Sequence, residues 1–278
     1  MSSDAIKDYL KNQQYKDSRN LDARIRLHRL FGVEDKPIPA ALFDDLLAIA
    51  PENARILVLG AGSGNNWTSN LDRIPKGWDV TLTDLSEGIL DVSRAKIGEH
   101  PQIKFKVMDA EANSYEDDSF DVVTAHYMLY HVPNLQQALE EIRRVLKKDG
   151  VLLAITNSAE HMQELFDLIT RNSDSKVLDM PIETLTGLRH LNFEVENGEE
   201  ILKQVFSQVE FKDYKSYLKV TDIEAVMDYI ASMNTFWNVD IRGLFGDKIR
   251  ADLENILQQE GYFHINRRSG LFVARQVD

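Results

Sequence analysis

The chain has 278 residues, of which 43% are hydrophobic and 28% charged, as in globular proteins and unlike disordered chains. Its net charge of −13 at pH 7 disfavours a surface for nucleic acid or anionic membrane, because phosphate groups are bound by clustered Lys and Arg. Cysteine is absent, which excludes disulfides, thiolate metal sites and a cysteine nucleophile.

The opening residues, Met1 to Gln14, are polar and charged and lack the apolar core of a secretion signal. No stretch approaches the roughly 20 apolar residues that span a membrane as a helix. We therefore expect a cytoplasmic protein without a membrane segment.

The spacing of apolar residues divides the chain into four parts of a single domain. Residues 1–50 have helical spacing and are predicted to form an N-terminal helical cap. Residues 51–157 alternate between strands and helices with short links, which predicts an α/β fold: a mostly parallel sheet with helices on both faces. Residues 158–260 combine a strand with helical insertions, and residues 261–278 are predicted to form strand, turn and strand.

Apolar and β-branched runs predict the individual strands. Those of the core are 55–59, 79–84, 103–108, 120–126 and 151–156, followed by 209–220 and by the terminal pair 263–266 and 271–274. Between them, Gln136 to Lys147 is amphipathic. We expect this helix to stop at Lys147-Lys148-Asp149-Gly150, where cations and a glycine form a C-terminal signal.

A glycine-rich turn follows the first core strand. Gly60, Gly62 and Gly64 occupy alternate positions, and Asn65 stands where the dinucleotide fingerprint G-x-G-x-x-G has its third glycine. Glycines allow the backbone to approach a ligand, and the N–H groups of the following helix face that ligand with partial positive charge. The turn predicts a nucleotide-like ligand, and the shifted glycine argues against a dinucleotide.

Carboxylates end the next two strands. Asp84 lies about twenty residues beyond the glycines, where a carboxylate accepts from the two hydroxyls of a ribose. Asp109 follows the third strand and is placed to accept from an exocyclic amine. The alternatives are a helix-capping role for Asp84, which Ser86 is already able to fill, and a turn-forming role for Asp109.

Together these residues resemble the ordered motifs of class I S-adenosylmethionine-dependent methyltransferases. The small-molecule branch that includes the ubiquinone- and menaquinone-biosynthesis C-methyltransferases is the most similar. The resemblance covers about residues 55–157. It rests on Val58-Leu59-Gly60-Ala61-Gly62-Ser63-Gly64, Asp84-Leu85-Ser86, Met108-Asp109-Ala110, Phe120-Asp121-Val122-Val123 and Arg144-Val145-Leu146-Lys147-Lys148-Asp149-Gly150. The family's usual Lys-Pro-Gly-Gly turn is Lys148-Asp149-Gly150-Val151 here, and Asn65-Asn66-Trp67 after the glycines is a less common sequence.

The resemblance implies a Rossmann-like, seven-stranded sheet in the order 3-2-1-4-5-7-6, with strand 7 antiparallel. It also implies S-adenosyl-L-methionine as cofactor and S-adenosyl-L-homocysteine as product. The residues that it assigns to the cofactor are Tyr15, Gly60, Ala61, Gly62, Gly64, Asp84, Leu85, Asp109, Ala110 and His126. Among them, Asp84 holds the ribose, Leu85 packs on adenine, Asp109 contacts its amine and His126 lines the methyl-donor side.

The segment after the fourth core strand is the place to look for catalytic groups. His131 and Tyr130 are the candidates to face the acceptor, although His131 is at least as well explained by a bond to backbone that shapes the loop. His161 is a weaker catalytic candidate and is better explained as a surface residue of a helix. Methyl transfer from a sulfonium requires chiefly that donor and acceptor be held in line, and a base only where the acceptor loses a proton.

Aromatic residues of the insertion form a second group: Phe193, Tyr229, Phe236 and Trp237. They are better explained as residues of the hydrophobic core than as a pocket that binds the acceptor. Tyr15, Arg24 and Arg26 belong to the cap that is expected to cover the cofactor. A metal site is not expected, since no His-Glu-x-x-His motif is present.

The leading hypothesis is a methyltransferase that acts on a small molecule at O, N or C, mainly by positioning. The alternatives are a non-catalytic cofactor-binding protein or partner subunit, an RNA methyltransferase, which the acidic charge disfavours, and a nicotinamide-dependent oxidoreductase. Neither the acceptor nor the oligomeric state is predicted from the sequence.

Overall fold

The computed structural model describes residues 3–14, 16–178, 191–237 and 239–276. Within these residues, eight strands form one sheet. In chain order they are β1 (Gly32–Val33), β2 (Arg55–Leu59), β3 (Asp79–Asp84), β4 (Ile103–Val107), β5 (Phe120–His126), β6 (Leu146–Asn157), β7 (Gln208–Val220) and β8 (Phe263–Arg275). Their order across the sheet is β1-β7-β8-β6-β5-β2-β3-β4.

The expected count of seven strands is therefore wrong, and eight are present. Strands β2 to β8 have the expected order, with β2 to β6 parallel and β8 antiparallel to β6. The additional strand β1 is antiparallel to β7, where Gly32 pairs with Leu218. At two residues, β1 is too short to produce the alternating pattern by which a strand is recognised.

The C-terminal segment also differs from its prediction. Instead of strand, turn and strand, β8 is one continuous strand that pairs with β7 from Phe263↔Val220 to Arg275↔Gln208. The residues Arg267-Arg268-Ser269-Gly270 resemble a turn in composition. They remain extended because β7 pairs with all four of them, and β6 pairs with Ser269 and Gly270 on the other side.

The helices lie on both faces of the sheet and at the carboxyl ends of its strands. They are α1 (Ser3–Tyr9), a π-helix (Leu10–Gln14), α2 (Arg19–Phe31), α3 (Ile38–Ile49), α4 (Asn65–Thr68), α5 (Glu87–Ile97), α6 (Leu135–Val145), α7 (Gln163–Asn172), α8 (Ser175–Leu178), α9 (Gly198–Leu202), α10 (Ile223–Trp237) and α11 (Ile241–Glu260), with 3-10 turns at Leu71–Arg73 and Leu129–His131.

Two helix ends test the sequence signals. The side-chain oxygen of Ser86 accepts from the N–H of Ile89, so the predicted cap of α5 is confirmed. In contrast, α6 ends at Val145, and Lys147 to Gly150 already belong to β6. The glycine and cations do not end this helix, since strand pairing of β6 begins at Leu146 opposite Phe120.

The cap and the insertion share one hydrophobic core. Leu27 of α2, Ile230 of α10, Ile249 of α11 and Ile265 of β8 are fully buried in the same cluster. Burial of each such side chain contributes about 1.5–3 kcal/mol. The N-terminal cap therefore lies against the insertion at the β7–β8 end of the sheet, and the two parts cover one side of the site described below.

No helix of the described residues is long and apolar enough to cross a membrane. Nor does that part of the chain bring three His, Asp or Glu side chains together in an arrangement able to hold a metal ion.

Candidate cofactor and acceptor site

A cavity of about 920 Å³ opens where the parallel strands end. Its walls come from the turns after β2, β3, β4 and β5, from α1 and α2 above them, and from α7, α10 and β8 at the far side. Ligands of open α/β folds bind at this edge, and the volume is that of a site for a small molecule or for two molecules together. We call the part beside the glycine turn the cofactor end, and the part bounded by α2, α10 and β8 the inner end.

The glycine turn has the geometry that its composition predicts. Gly60, Gly62 and Gly64 have φ angles of +64°, +55° and +73°, which side chains rarely tolerate. A Cβ on Gly60 would lie 2.6 Å from the Cβ of Met128, and one on Gly64 would lie 2.4 Å from Oγ of Ser93. Gly60 is therefore needed for the approach of the β5 turn, and Gly64 for the packing of α5.

Asp84 organises the glycine turn as well as the cavity. Its Oδ2 accepts from the N–H of Gly62 at 2.9 Å, and its Oδ1 accepts from the N–H of Ser86 at 2.9 Å. Burial raises the pKa of this carboxyl, and the backbone N–H donors of Ser86, Gly62 and Leu85 oppose that rise. The N–H of Gly62 thus points to Asp84, which holds the turn in place from the neighbouring strand.

Asp109 is held from outside the sheet by the N-terminal helix. Lys7 donates to Oδ2 of Asp109 at 2.7 Å and also to Glu111, while the N–H of Glu111 donates to Oδ1 of Asp109 at 3.0 Å. The two carboxylates raise the pKa of Lys7 against the effect of desolvation. Lys7 therefore ties α1 over this end of the cavity.

The histidine at the end of β5, His126, and His131 of the following segment are half-buried, and both are neutral at pH 7. Desolvation lowers the pKa of His126 to about 4. It lowers the pKa of His131 to about 3, with the charge of Arg24 as a further cause. His126 lies 3.2 Å from the side-chain nitrogen of Asn66, and the rings of Tyr130 and His131 are 4.5 Å apart. A histidine with so low a pKa is a weak base, so neither ring is suited to remove a proton at neutral pH.

The inner end contains charged residues that the sequence analysis did not single out. Arg267, only 8% exposed, donates to Nδ1 of His28 at 3.3 Å and to a carboxylate oxygen of Glu34. Along β8, Phe263, Ile265 and Arg267 are buried at alternate positions. The alternation of Phe263, Ile265 and Arg267 was a signal that the arginine is buried on the same face as the two apolar residues. The prediction of a turn at 267–270 prevented this inference.

Two more contacts complete this end. His161 lines the cavity with its ring 6.0 Å from that of His28, so it is not the surface residue that was favoured. Tyr127 has a φ of +56° and donates to Oγ of Ser269 at 3.3 Å, and Ser269 donates to Asn157 at 2.9 Å. A tyrosine with left-handed backbone angles is strained, and the neighbouring residues of the cavity have to hold it in that conformation.

Most of the predicted site residues line this one cavity. They are Gly60, Ala61, Gly62, Asp84, Leu85, Asp109, Ala110, His126, Tyr130 and His131. Gly64 does not line it and instead begins α4. Tyr15 lies outside the described residues.

The aromatic residues of the insertion separate into two groups. Phe193 is fully buried against Phe272, with ring centroids 5.8 Å apart, as expected for core. Tyr229 faces the cavity, with its ring 6.0 Å from that of His28. The side chains of Phe236 and Trp237 lie outside the described part of the chain.

The comparisons with known proteins agree with this geometry. A family model described as a methyltransferase domain matches residues 57–154, from β2 to β6. A ubiquinone/menaquinone biosynthesis C-methyltransferase of Hydrogenovibrio crunogenus is 35% identical over 114 residues, which are 40% of this chain and 44% of that protein. A demethylmenaquinone methyltransferase of Clavibacter sepedonicus is 38% identical over 104 residues, 37% of this chain and 41% of that protein.

The chain thus spans less than half the length of these two curated relatives. Among solved structures, phosphoethanolamine N-methyltransferase 2 of Haemonchus contortus, in complex with phosphomonomethylethanolamine and S-adenosylhomocysteine, is similar at a TM-score of 0.58. It is 18% identical, and the alignment covers 98% of this chain and 60% of that one, so it shows the shared fold. The stretch from β2 to β6 is thus similar to a methyltransferase domain, and the wider structure shares the fold of such proteins.

Proposed function

We propose that this protein transfers a methyl group from S-adenosylmethionine to a small-molecule acceptor. The observation that carries the proposal is that the glycine turn, Asp84 and the segment after β5 line one cavity, whose inner end extends beyond them. That arrangement provides a donor site and an adjoining space for an acceptor. The methyltransferase domain match covers the strands on which all these residues lie.

The residues present fit the cofactor. The left-handed backbone of Gly60 and Gly62 leaves room for close approach, and Asp84 offers a buried carboxylate to a ribose diol. Leu85 and Ala110 supply apolar surface for an adenine ring, and Asp109 supplies an acceptor for its amine. When bound, the cofactor supplies an electrophilic methyl group on a positively charged sulfur.

The protein's own contribution is positioning. His126 and His131 stay uncharged at neutral pH and therefore do not repel a sulfonium. Tyr127, Met128 and Tyr130 form the wall at which an acceptor has to lie in line with the methyl group. The cap helices α1 and α2 cover the site and exclude water.

Binding of S-adenosylhomocysteine, measured by calorimetry, tests the proposal. We expect Asp84→Asn to weaken this binding by tenfold or more, about 1.4 kcal/mol. Asp91→Asn on the exposed side of α5 is the matched control and leaves the affinity unchanged. No heat with S-adenosylhomocysteine or S-adenosylmethionine would overturn the proposal.

The alternative is a protein that binds the cofactor without turnover. The comparisons give it no support, because the named relatives are methyltransferases. Methylation of any small acceptor by the purified protein decides between the two.

A further inference from the structure

The inner end of the cavity presents hydrogen-bond donors and positive charge. Arg24 and Arg267 line it together with His28 and the carboxylate of Glu34. Arg267 is paired with Glu34, so the charge of Arg24 leaves the inner end positive, in contrast to the net charge of −13 of the whole chain. Such a local reversal of charge points to an anionic ligand.

Arg267 is buried with part of its donor capacity unused. Two of its nitrogens donate to His28 and Glu34, while Nε has neither solvent contact nor a hydrogen-bond partner within the described residues. A guanidinium has five N–H donors in a planar fork that matches a carboxylate. Because a buried donor without a partner is costly, the site is incomplete without a further acceptor.

His28 adds another donor. A guanidinium only donates, so Nδ1 of His28 accepts from Arg267 and the ring proton resides on Nε2. Burial, together with the charges of His161, Arg267 and Arg24, lowers the pKa of His28 well below its ordinary value, which keeps the ring neutral. His28 therefore offers Nε2–H and cannot remove a proton through Nδ1.

Arg24 extends this positive surface toward the methyl-donor side. Its guanidinium donates to Oγ and to the carbonyl oxygen of Ser232, at 3.0 and 2.7 Å, which fixes its orientation. Arg24, His28, His131 and Tyr229 line the same cavity, and the charge of Arg24 acts to lower the pKa of all three of the other groups. Arg24 and Arg267 therefore supply donors to the same cavity as the segment after β5.

Apolar side chains line the rest of this end. Met162, Phe166 and Met233 belong to the cavity wall, with the ring of Tyr229 beside them. A ligand that fills the space needs an apolar body attached to its anionic group, as is usual for sites with few polar anchors.

We propose that the acceptor is an organic carboxylate with an apolar body, whose carboxylate binds between Arg24 and Arg267. This inference rests on the proposed function, since it names the substrate class of the same site. A carboxylate matches the planar guanidinium fork and is ionised at neutral pH without help from a base.

Ligand pairs that differ only in charge test the proposal. The protein saturated with S-adenosylhomocysteine is titrated with 4-phenylbutyrate, octanoate and 2-naphthoate, and with the primary amide of each. We expect at least one acid to bind about tenfold more tightly than its amide. Equal affinity within every pair, or no binding of any acid, overturns the inference.

Variants locate the preference for acids. Arg24→Met and the charge-balanced double variant Glu34→Gln with Arg267→Met are each expected to reduce it to less than about threefold. The double variant avoids leaving a buried carboxylate unpaired, so that folding is preserved. Arg26→Met, on the exposed face of α2 with Asp222 and Asp228, is the matched control and keeps the full preference.

The titration with S-adenosylhomocysteine distinguishes failure of this inference from failure of the proposed function. If S-adenosylhomocysteine binds and the acids show no preference, or the preference survives both variants, the inference fails and the proposed function stands. If S-adenosylhomocysteine does not bind, the proposed function itself fails.

Discussion

The cofactor end and the inner end of the cavity are built in different ways. At the cofactor end, the Gly62–Asp84 hydrogen bond joins residues 22 positions apart, at the ends of neighbouring parallel strands. At the inner end, the contacts of Arg24 with Ser232 and of Arg267 with His28 join residues 208 and 239 positions apart. Local backbone geometry forms the first, and the assembled tertiary structure forms the second.

This difference implies that the two ends respond differently to substitution. The cofactor end depends on the backbone angles of the glycine turn and on the carboxylate of Asp84. A single added methyl group, as in Gly60→Ala, is therefore expected to disrupt cofactor binding. The inner end depends on hydrogen bonds and an ion pair between distant parts of the chain, so loss of one partner leaves the other in an unfavourable environment. The following experiments test this contrast, from the largest expected effect to the smallest.

Arg267→Met is expected to lower the free energy of unfolding by up to about 3 kcal/mol, because Glu34, with 18% of its side chain exposed, then lacks a counter-ion. Adding Glu34→Gln is expected to restore most of this loss. Urea unfolding of both variants measures the difference. A double variant no more stable than Arg267→Met would show that the pair does not act as a unit.

Gly60→Ala is expected to weaken S-adenosylhomocysteine binding by about a hundredfold, or 2.7 kcal/mol. The new Cβ would lie 2.6 Å from the Cβ of Met128, in addition to the strain at φ +64°. Gly98→Ala is the control, since Gly98 has a similar φ of +72° with nothing within 4 Å of its Cβ. Calorimetry on both separates the steric clash from backbone strain, and equal losses would contradict the assigned role of Gly60.

The half-buried, neutral histidines predict acid sensitivity. Between pH 6.5 and about 3, the unfolded chain binds a proton at residue 131 and the folded protein does not, so stability falls as the pH decreases through that window. His131→Leu is expected to reduce the slope by up to about 1.4 kcal/mol per pH unit. Chemical unfolding from pH 8 to pH 4 measures it. Above pH 7 the two curves run parallel, and parallel curves throughout would contradict burial as the cause.

Lys7→Met is expected to speed the release of S-adenosylhomocysteine only severalfold, since partly exposed ion pairs contribute about 1 kcal/mol or less. The salt dependence of release should fall in the same variant, because the contacts with Asp109 and Glu111 are lost. Stopped-flow displacement measures both quantities. Lys104→Met, which removes the exposed ion pair with Asp79 away from the cavity, is the control and keeps the salt dependence of the original chain.

The cofactor end was largely predictable from the sequence because its signals are local. The glycines at 60 and 62 indicate a backbone with positive φ, and the carboxylate at Asp84 indicates the end of a strand. Each of these signals is visible in the residue type itself. The order of β2 to β8 followed from the family resemblance. The strand β1 did not, since Gly32 and Val33 have no pattern apart from their partner β7.

The inner end was not predictable for the same physical reason. His28 and Arg267 carry a signal only when α2 and β8 are known to be neighbours, and His161 resembled a surface residue until its ring was placed beside His28. Gly64, in contrast, belongs to a readable motif but starts α4 outside the cavity wall. A motif therefore identifies a turn better than it assigns a task to each of its residues.

The contact of Gly60 with Met128 has a mechanical consequence. The turn that approaches the donor is in direct contact, at Gly60, with the turn that bears Tyr130 and His131, so a change in one turn is transmitted to the other. Remodelling residues 127–131 for a new acceptor would therefore disturb the grip on the donor. Changes in α2, α10 and β8 carry no such penalty, and a designer who wishes to redirect this scaffold should begin there.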